Sequence, residues 1–319
     1  MPIVQEIAAL IGAALDADIG SAAAVSVGDG GVEVERWVQG VTQRVPTRGV
    51  AIDNRTPFDL ASLTKPMATA ALAMVLVGDG ALELDAPVRR WFPDAATIGT
   101  VRQLLGHAAG CAAHVEFFRE LRTGVHPDPR AELVAQAARH PVTAPGVAAV
   151  YSDLGYLVLG AIVERAAGAP LDEAFRSRVA EPLDLDGARY PGAAALPLAV
   201  ATELDDRGLV AGRARGRWRA EVVQRFVTDA PVPGATWRLG WDTPAAALGA
   251  SHAGDRWPRA GAIGHTGFTG TSLWLDLPHR RWVALLTNRV HPTRHGTADA
   301  IKALRRSVGD AVVARLGDH

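Results

Sequence analysis

Phe58–Gly80 reads FDLASLTKPMATAALAMVLVGDG, and it sets Ser62 three residues ahead of Lys65. In a helix that spacing stacks the hydroxyl and the amine on one face. Leu63, Met67, Ala71, Met74 and Val75 recur at helical spacing. Asp59 reads as the N-cap, and Gly78 and Gly80 as the stop. Pro66 brings no N–H for the Ser62 carbonyl, which a helix tolerates only near its first turn. Ser62 is therefore expected at a helix N-terminus, where the macrodipole favours developing negative charge.

Lys and Arg together number 33, yet lysine occurs only at Lys65 and Lys302. Arginine stays protonated in proteins, whereas a desolvated lysine can lose its charge. A lysine kept beside a serine suggests an amine that must sometimes be neutral. The spacing alone is a weak motif and needs partners.

The 319 residues suffice for one large unit with two lobes. With 48% hydrophobic and 21% charged residues, the composition is that of a soluble globular protein. A net charge of -1 gives no general pull toward nucleic acid or an acidic membrane. MPIVQEIAALIGAALDADIG, with Glu6 in its apolar run, reads as an amphipathic helix rather than an export signal. No uncharged run approaches the roughly 18 residues of a membrane span. Cys111 is the single cysteine, which excludes an internal disulfide. A cytoplasmic location is the expectation, with no nucleic-acid or membrane partner.

Ala22–Val27 and Val32–Val38 alternate around the turn Gly28-Asp29-Gly30-Gly31, a hairpin. Thr100 is expected to cap a short helix to Leu105, and Arg130–Arg139, Leu154–Ala167 and Asp172–Val179 read as further helices. Gly187–Arg217 reads as connector. Gly261–Thr266, Thr271–Leu277 and Arg281–Asn288 read as strands, and Thr297–Leu316 as a helix with its apolar stripe on the sheet. His107, Cys111 and His114 lack the paired spacing of a metal site, so neither metal nor cofactor is expected. The fold class is thus α+β. An antiparallel sheet drawn from both chain ends (1–60 and 218–319) is flanked by helices, with a mainly helical lobe over 61–217. The cleft between the lobes is where a site is expected.

Two short strings join Ser62-Leu63-Thr64-Lys65: Tyr151-Ser152-Asp153 before a buried helix, and His265-Thr266-Gly267 on a strand. Singly they read as an anchor tyrosine, a helix cap and a strand histidine. Together, in this order, they resemble the S-x-x-K, Y-x-N and K-T-G elements of the serine β-lactamase and penicillin-binding-protein superfamily. LLGHAAG, YSDLGYLVLGAIVE and HTGFTGTSLWLDL look most like its branch of class C β-lactamases, D-alanyl peptidases and esterases. The resemblance implies an acyl-enzyme on Ser62, with neutral Lys65 as base and Tyr151 relaying a proton to the leaving group. It also implies an oxyanion hole from the N–H groups of Ser62 and Phe268, and Ser152 and Thr266 lining the cleft.

Three departures qualify that expectation. Asp153 stands where the pattern has asparagine, and a carboxylate near Lys65 would hold it charged. Either Asp153 points elsewhere, or Tyr151 as phenolate carries more of the proton transfer. His265 replaces a lysine that helps recognise a substrate carboxylate, and histidine is mostly neutral at pH 7, which favours esters over penicillins. The connector around Val210–Arg217 is also shorter than in most relatives. The expected activity is hydrolysis of small carboxylic esters. A D-amino-acid peptidase or weak β-lactamase, and a catalytically weak binding or sensor protein, stand as alternatives. No G-x-S-x-G elbow occurs to suggest an α/β-hydrolase. The sequence leaves the oligomeric state open.

Overall fold

The computed structural model describes residues 3–117, 127–185, 190 and 218–317. The expected connector Gly187–Arg217 lies almost wholly outside them. The chain divides into two compact units, one from Met1–Thr64, Leu183–Arg213 and Asp242–His319, the other from Lys65–Pro182 and Ala214–Trp241.

The first unit is built on an antiparallel sheet from both chain ends. Strands β1 (Ala22–Asp29) and β2 (Val32–Gly40) form the expected hairpin, and β3 (Ala262–Thr266), β4 (Ser272–Asp276) and β5 (Arg281–Thr287) complete the order β2-β1-β5-β4-β3. β5 pairs with β1, so the two ends of the chain meet in the middle of the sheet. Helices α1 (Ile3–Asp16) and α8 (Ala298–Leu316) cover one face. Ile7, Ile11 and Leu15 pack there with Ile301, Leu304, Val308 and Val312 against Val25, Trp274 and Leu285. On the other face Ala24, Ile52, Phe58 and Leu286 form a smaller cluster. Arg281 is buried where β5 begins. It bonds Asp29 Oδ1 at 3.1 Å and donates to the carbonyls of Leu316 and Gly317 at 3.3 and 3.2 Å. A cation at the end of a helix is where the dipole favours one.

The second unit is helical. Its core helices are α2 (Ala71–Gly78) and α5 (Asp153–Ala167), and α4 (Pro129–Arg139) and α6 (Leu171–Phe175) pack on α5. The short α3 (Val101–Leu105) carries a complete capping box between Thr100 and Gln103. By length and composition Ala61–Gly78 could cross a membrane, but Leu72, Ala73, Val75 and Leu76 are core residues here. The chain rejoins the sheet-bearing unit at Asp242 rather than at 218. Residues Ala220–Thr228 form a helix, α7, whose Val222 and Phe226 are buried, and its packing keeps that stretch in the helical unit.

The strand patterns require close approach at one point near the site. A Cβ on Gly264 would lie 2.2 Å from the Trp274 ring and 2.6 Å from the Leu273 carbonyl. Gly264→Val should therefore cost about 2 kcal/mol or more through overpacking. Gly12, inside α1 with nothing within 4 Å of its Cβ position, should gain roughly 0.5–1 kcal/mol as alanine. Thermal unfolding of the two variants beside the parent measures both signs.

Candidate active site

Ser62 sits in a single tight turn, Ala61–Leu63, at the start of the quoted run. Asp59 is not its cap: Leu60 occupies that position with no side-chain bond. Asp59 Oδ1 instead accepts the Ala61 N–H at 2.7 Å, and Ala61 takes a left-handed φ of 46°. An alanine there is strained, and strain held just before a candidate nucleophile fits a turn shaped for chemistry. From Lys65 to Ala70 the backbone widens to a π-helical turn before α2 begins. Pro66, buried and lacking an N–H, breaks the usual hydrogen-bond ladder at this point.

Within the first unit, the loop Gly267–Thr271 between β3 and β4 is stitched to the approach to Ser62. Thr269 Oγ1 donates to the Asp59 carbonyl at 2.5 Å and Thr271 Oγ1 to the Leu60 carbonyl at 3.1 Å. A Cβ on Gly267 would fall 2.5 Å from the Leu60 carbonyl oxygen, so only glycine permits that approach. Among the described residues the Phe268 N–H makes no hydrogen bond, while Phe268 as a whole is 52% exposed. His265 is buried on β3, its Nδ1 donating to the Thr266 carbonyl at 2.8 Å.

Within the second unit, Lys65 Nζ lies 2.7 Å from Asp153 Oδ1, and the other oxygen of that carboxylate is 3.0 Å from His114 Nδ1. Burial works to raise the Asp153 carboxyl, but the hydrogen bond and charge of Lys65, joined by His114, outweigh it and hold the carboxyl below its ordinary value. Asp153 also opens α5, where the helix dipole favours an anion. Of the two sequence alternatives, the one with Asp153 turned away is therefore corrected: the carboxylate is on the amine. Lys65 Nζ lies 4.9 Å from the Tyr151 ring centroid and 5.6 Å from that of Tyr156. Tyr156 is fully buried with its hydroxyl donating to the Leu105 carbonyl at 3.0 Å, and burial pushes its ionisation upward.

Ser152, expected to line the cleft, is buried as the cap of α5. Its Oγ accepts from the Gly155 N–H at 2.9 Å and donates to the Ala112 carbonyl at 2.6 Å, which commits the hydroxyl to the fold.

Residues missed from the sequence hold Tyr151. His107, in a left-handed conformation at φ 57°, accepts the Ser152 N–H on Nδ1 at 3.0 Å, so its ring proton sits on Nε2. Its ring lies 4.7 Å from that of Tyr151 and 4.4 Å from that of Trp237. His107 falls in the LLGHAAG string, which marks the resemblance but gives no sign of this contact. Trp237 carried no signal. Cys111 is buried, its thiol pushed up to about 11, which makes it unreactive. Among the described residues no three His, Cys, Asp or Glu side chains group to hold a metal.

The sequence profile of the family described as Beta-lactamase matches residues 7–306. The chain belongs to the beta-lactamase family. Esterase EstB of Burkholderia gladioli is 36% identical over 170 residues, covering 47% of this chain and 42% of that one. A putative D-alanyl-D-alanine carboxypeptidase of Escherichia coli is 32% identical over 142 residues, covering 41% of this chain and 33% of the other. The matches thus span less than half the length of these relatives. A Mycobacterium bovis beta-lactamase structure superposes with a TM-score of 0.67 at 25% identity, covering 95% of this chain and 98% of that one. A family VIII carboxylesterase gives 0.70 at 20% identity, with 98% of each chain covered, and shares the beta-lactamase fold.

Asp153→Asn tests the electrostatics of this site. Removing the carboxylate takes away a charge that retains the proton on its neighbours, so the acid limb of the rate profile for ester hydrolysis should move to lower pH. An unchanged limb would remove Asp153 from the chemistry. The pair also carries a stability signature. Because the Asp153 carboxyl is depressed in the folded state, any advantage of the parent over Asp153→Asn is present above the usual carboxylate range and disappears as pH falls through the lowered value.

Proposed function

We propose that this protein is a serine hydrolase that forms an acyl-enzyme on Ser62, with small carboxylic esters as substrates. The observation that carries the reading is the run holding Ser62 and Lys65 three residues apart, with Ser62 at a strained turn and Lys65 paired to Asp153. In this reaction Ser62 Oγ attacks the ester carbonyl carbon and its proton leaves to a base. The carbonyl oxygen, now an oxyanion, takes the N–H groups of Phe268 and Ser62. The tetrahedral intermediate collapses, the C–O bond to the alcohol breaks, and the alcohol leaves with the proton. Water then attacks the acyl-enzyme by the same route and frees Ser62.

The Lys65–Asp153 pair supports one choice of base. With its amine 2.7 Å from a carboxylate, Lys65 is read as the cation of an ion pair, and proton transfer is assigned to Tyr151 as phenolate. A cation in that place would favour the phenolate oxygen. His265 in the place of a lysine leaves no ammonium there for a substrate carboxylate, which favours esters over penicillins and peptides. The esterase and carboxypeptidase relatives are compatible with either acyl class. The same ion pair favours one alternative, a catalytically weak binding protein of this fold, because it costs the site its expected neutral amine.

Intact-protein mass spectrometry after p-nitrophenyl butyrate or a fluorophosphonate separates these readings. An adduct in the parent, absent from Ser62→Ala, is the expected result. Tyr151→Phe should lower the acylation rate by a factor of at least about a hundred. No adduct in the parent, under conditions that label a known esterase, would favour the binding protein. Hydrolysis of nitrocefin should be slower than that of the butyrate ester, and the reverse order would point to a β-lactamase.

A further inference from the structure

The loop Gly267–Thr271 has all five of its carbonyls engaged, and two arginines do most of the work. Arg305 Nη2 donates to the Gly267 carbonyl at 2.7 Å and the Thr271 carbonyl at 2.9 Å, and its Nε to the Gly270 carbonyl at 3.2 Å. Arg289 Nε donates to the Phe268 carbonyl at 2.7 Å. The Thr269 carbonyl takes the Arg289 N–H at 2.9 Å and Thr287 Oγ1 at 3.0 Å.

Neither arginine has a carboxylate partner among the described residues, although Arg305 is 8% and Arg289 6% exposed. Burial pushes the Arg305 guanidinium down to about 10 and that of Arg289 in the same direction. Buried cations without counter-ions are costly and uncommon. Anchoring helix α8 to the sheet would not require them, since Ile301, Leu304, Val308 and Val312 already do so.

Peptide geometry gives the arrangement a use. In a trans peptide the carbonyl of one residue and the N–H of the next point opposite ways. Arg305 holds the Gly267 carbonyl, so it aims the Phe268 N–H away from itself. Arg289 holds the next carbonyl, so both peptide planes flanking Phe268 are fixed. The donated hydrogen bonds also polarise the Gly267–Phe268 peptide and strengthen its N–H as a donor. That N–H is the one in the loop assigned to the oxyanion, and it makes no bond among the described residues. The threonine stitches to Asp59 and Leu60 set the same loop in register with the turn of Ser62.

We propose that Arg305, assisted by Arg289, is a positioning residue that aims and polarises the Phe268 N–H for the oxyanion formed in acyl transfer. The inference rests on the acyl-enzyme reading, and its test keeps the two apart. The full chain carrying Arg305→Gln, Arg305→Lys or Arg289→Lys is compared with the parent on p-nitrophenyl butyrate, with rates normalised to the folded fraction. Misplacing one donor should lower kcat about tenfold to a hundredfold with KM changed less than about threefold. Arg305→Lys should fall between Arg305→Gln and the parent, since an ammonium keeps the charge but not the fork. A carbon-13 carbonyl label in the butyryl-enzyme supplies a signature that a purely structural role would not move. Its infrared band should shift to higher wavenumber in the variants as the hydrogen bond weakens.

An unshifted band, with kcat falling only in proportion to the folded fraction, would overturn the proposal. Arg289→Lys gives the same two readouts if the Arg305 variants do not fold. Failure of the parent itself to acylate on Ser62 would withdraw the acyl-enzyme reading, and this inference with it.

Discussion

The ion pair between Lys65 and Asp153 constrains everything that the site can do. At 2.7 Å the carboxylate stabilises the ammonium and is itself held ionised by it, with His114 on its far oxygen. A family pattern that elsewhere supplies an uncharged amide here supplies a charge, at the first position of a buried helix. In the proposed reaction the amine acts as an electrostatic element, and Tyr151, framed by His107 and Trp237, is the group assigned to take the proton. The same substitution that makes the site unusual thus selects among mechanisms for it.

The proposed acid–base residues and the proposed oxyanion donors are supported by separate devices. Lys65, Tyr151 and Asp153 are arranged by the helical unit: the α5 cap at Ser152 and the His107 ring that accepts the Ser152 N–H hold the backbone around residue 152. Ser62 and the Phe268 N–H are arranged by the sheet-bearing unit, where two threonine hydroxyls and a close-approaching glycine bind the 267–271 loop to residues 59 and 60. Ser62 and Lys65, one from each set, stand three positions apart in the sequence. Preorganisation of this kind lets dipoles act on a developing charge without reorganising at the moment of reaction.

Much of this was legible in the sequence because it rests on local patterns. The hairpin at Gly28–Gly31, the three late strands, the cap at Thr100 and the apolar stripe of the last helix all follow from periodicity and turn chemistry. What failed was non-local or strained. Asp59 resembled a cap, but the left-handed Ala61 turns the chain so that its carboxylate serves one N–H outside the helix. Helix α7 follows an arginine-rich, weakly periodic stretch that concealed its start, and its Val222 and Phe226 are buried only once it packs. Trp237 meets Tyr151 only after folding. Arg305 sits beside Leu304 in the stripe and would ordinarily be read as solvated. Its burial depends on three carbonyls more than thirty residues earlier.

The most direct test follows the two lysines. Because Lys65 and Lys302 are the only ones in the chain, nitrogen-15 labelling of the lysine side chains gives two resonances, which Lys65→Arg assigns. Their positions can be followed across pH beside the rate of acylation by p-nitrophenyl butyrate. The account predicts that the Lys65 resonance keeps its ammonium position while acylation climbs. A resonance that moves to the amine position in step with the rate would contradict it and make Lys65 the base.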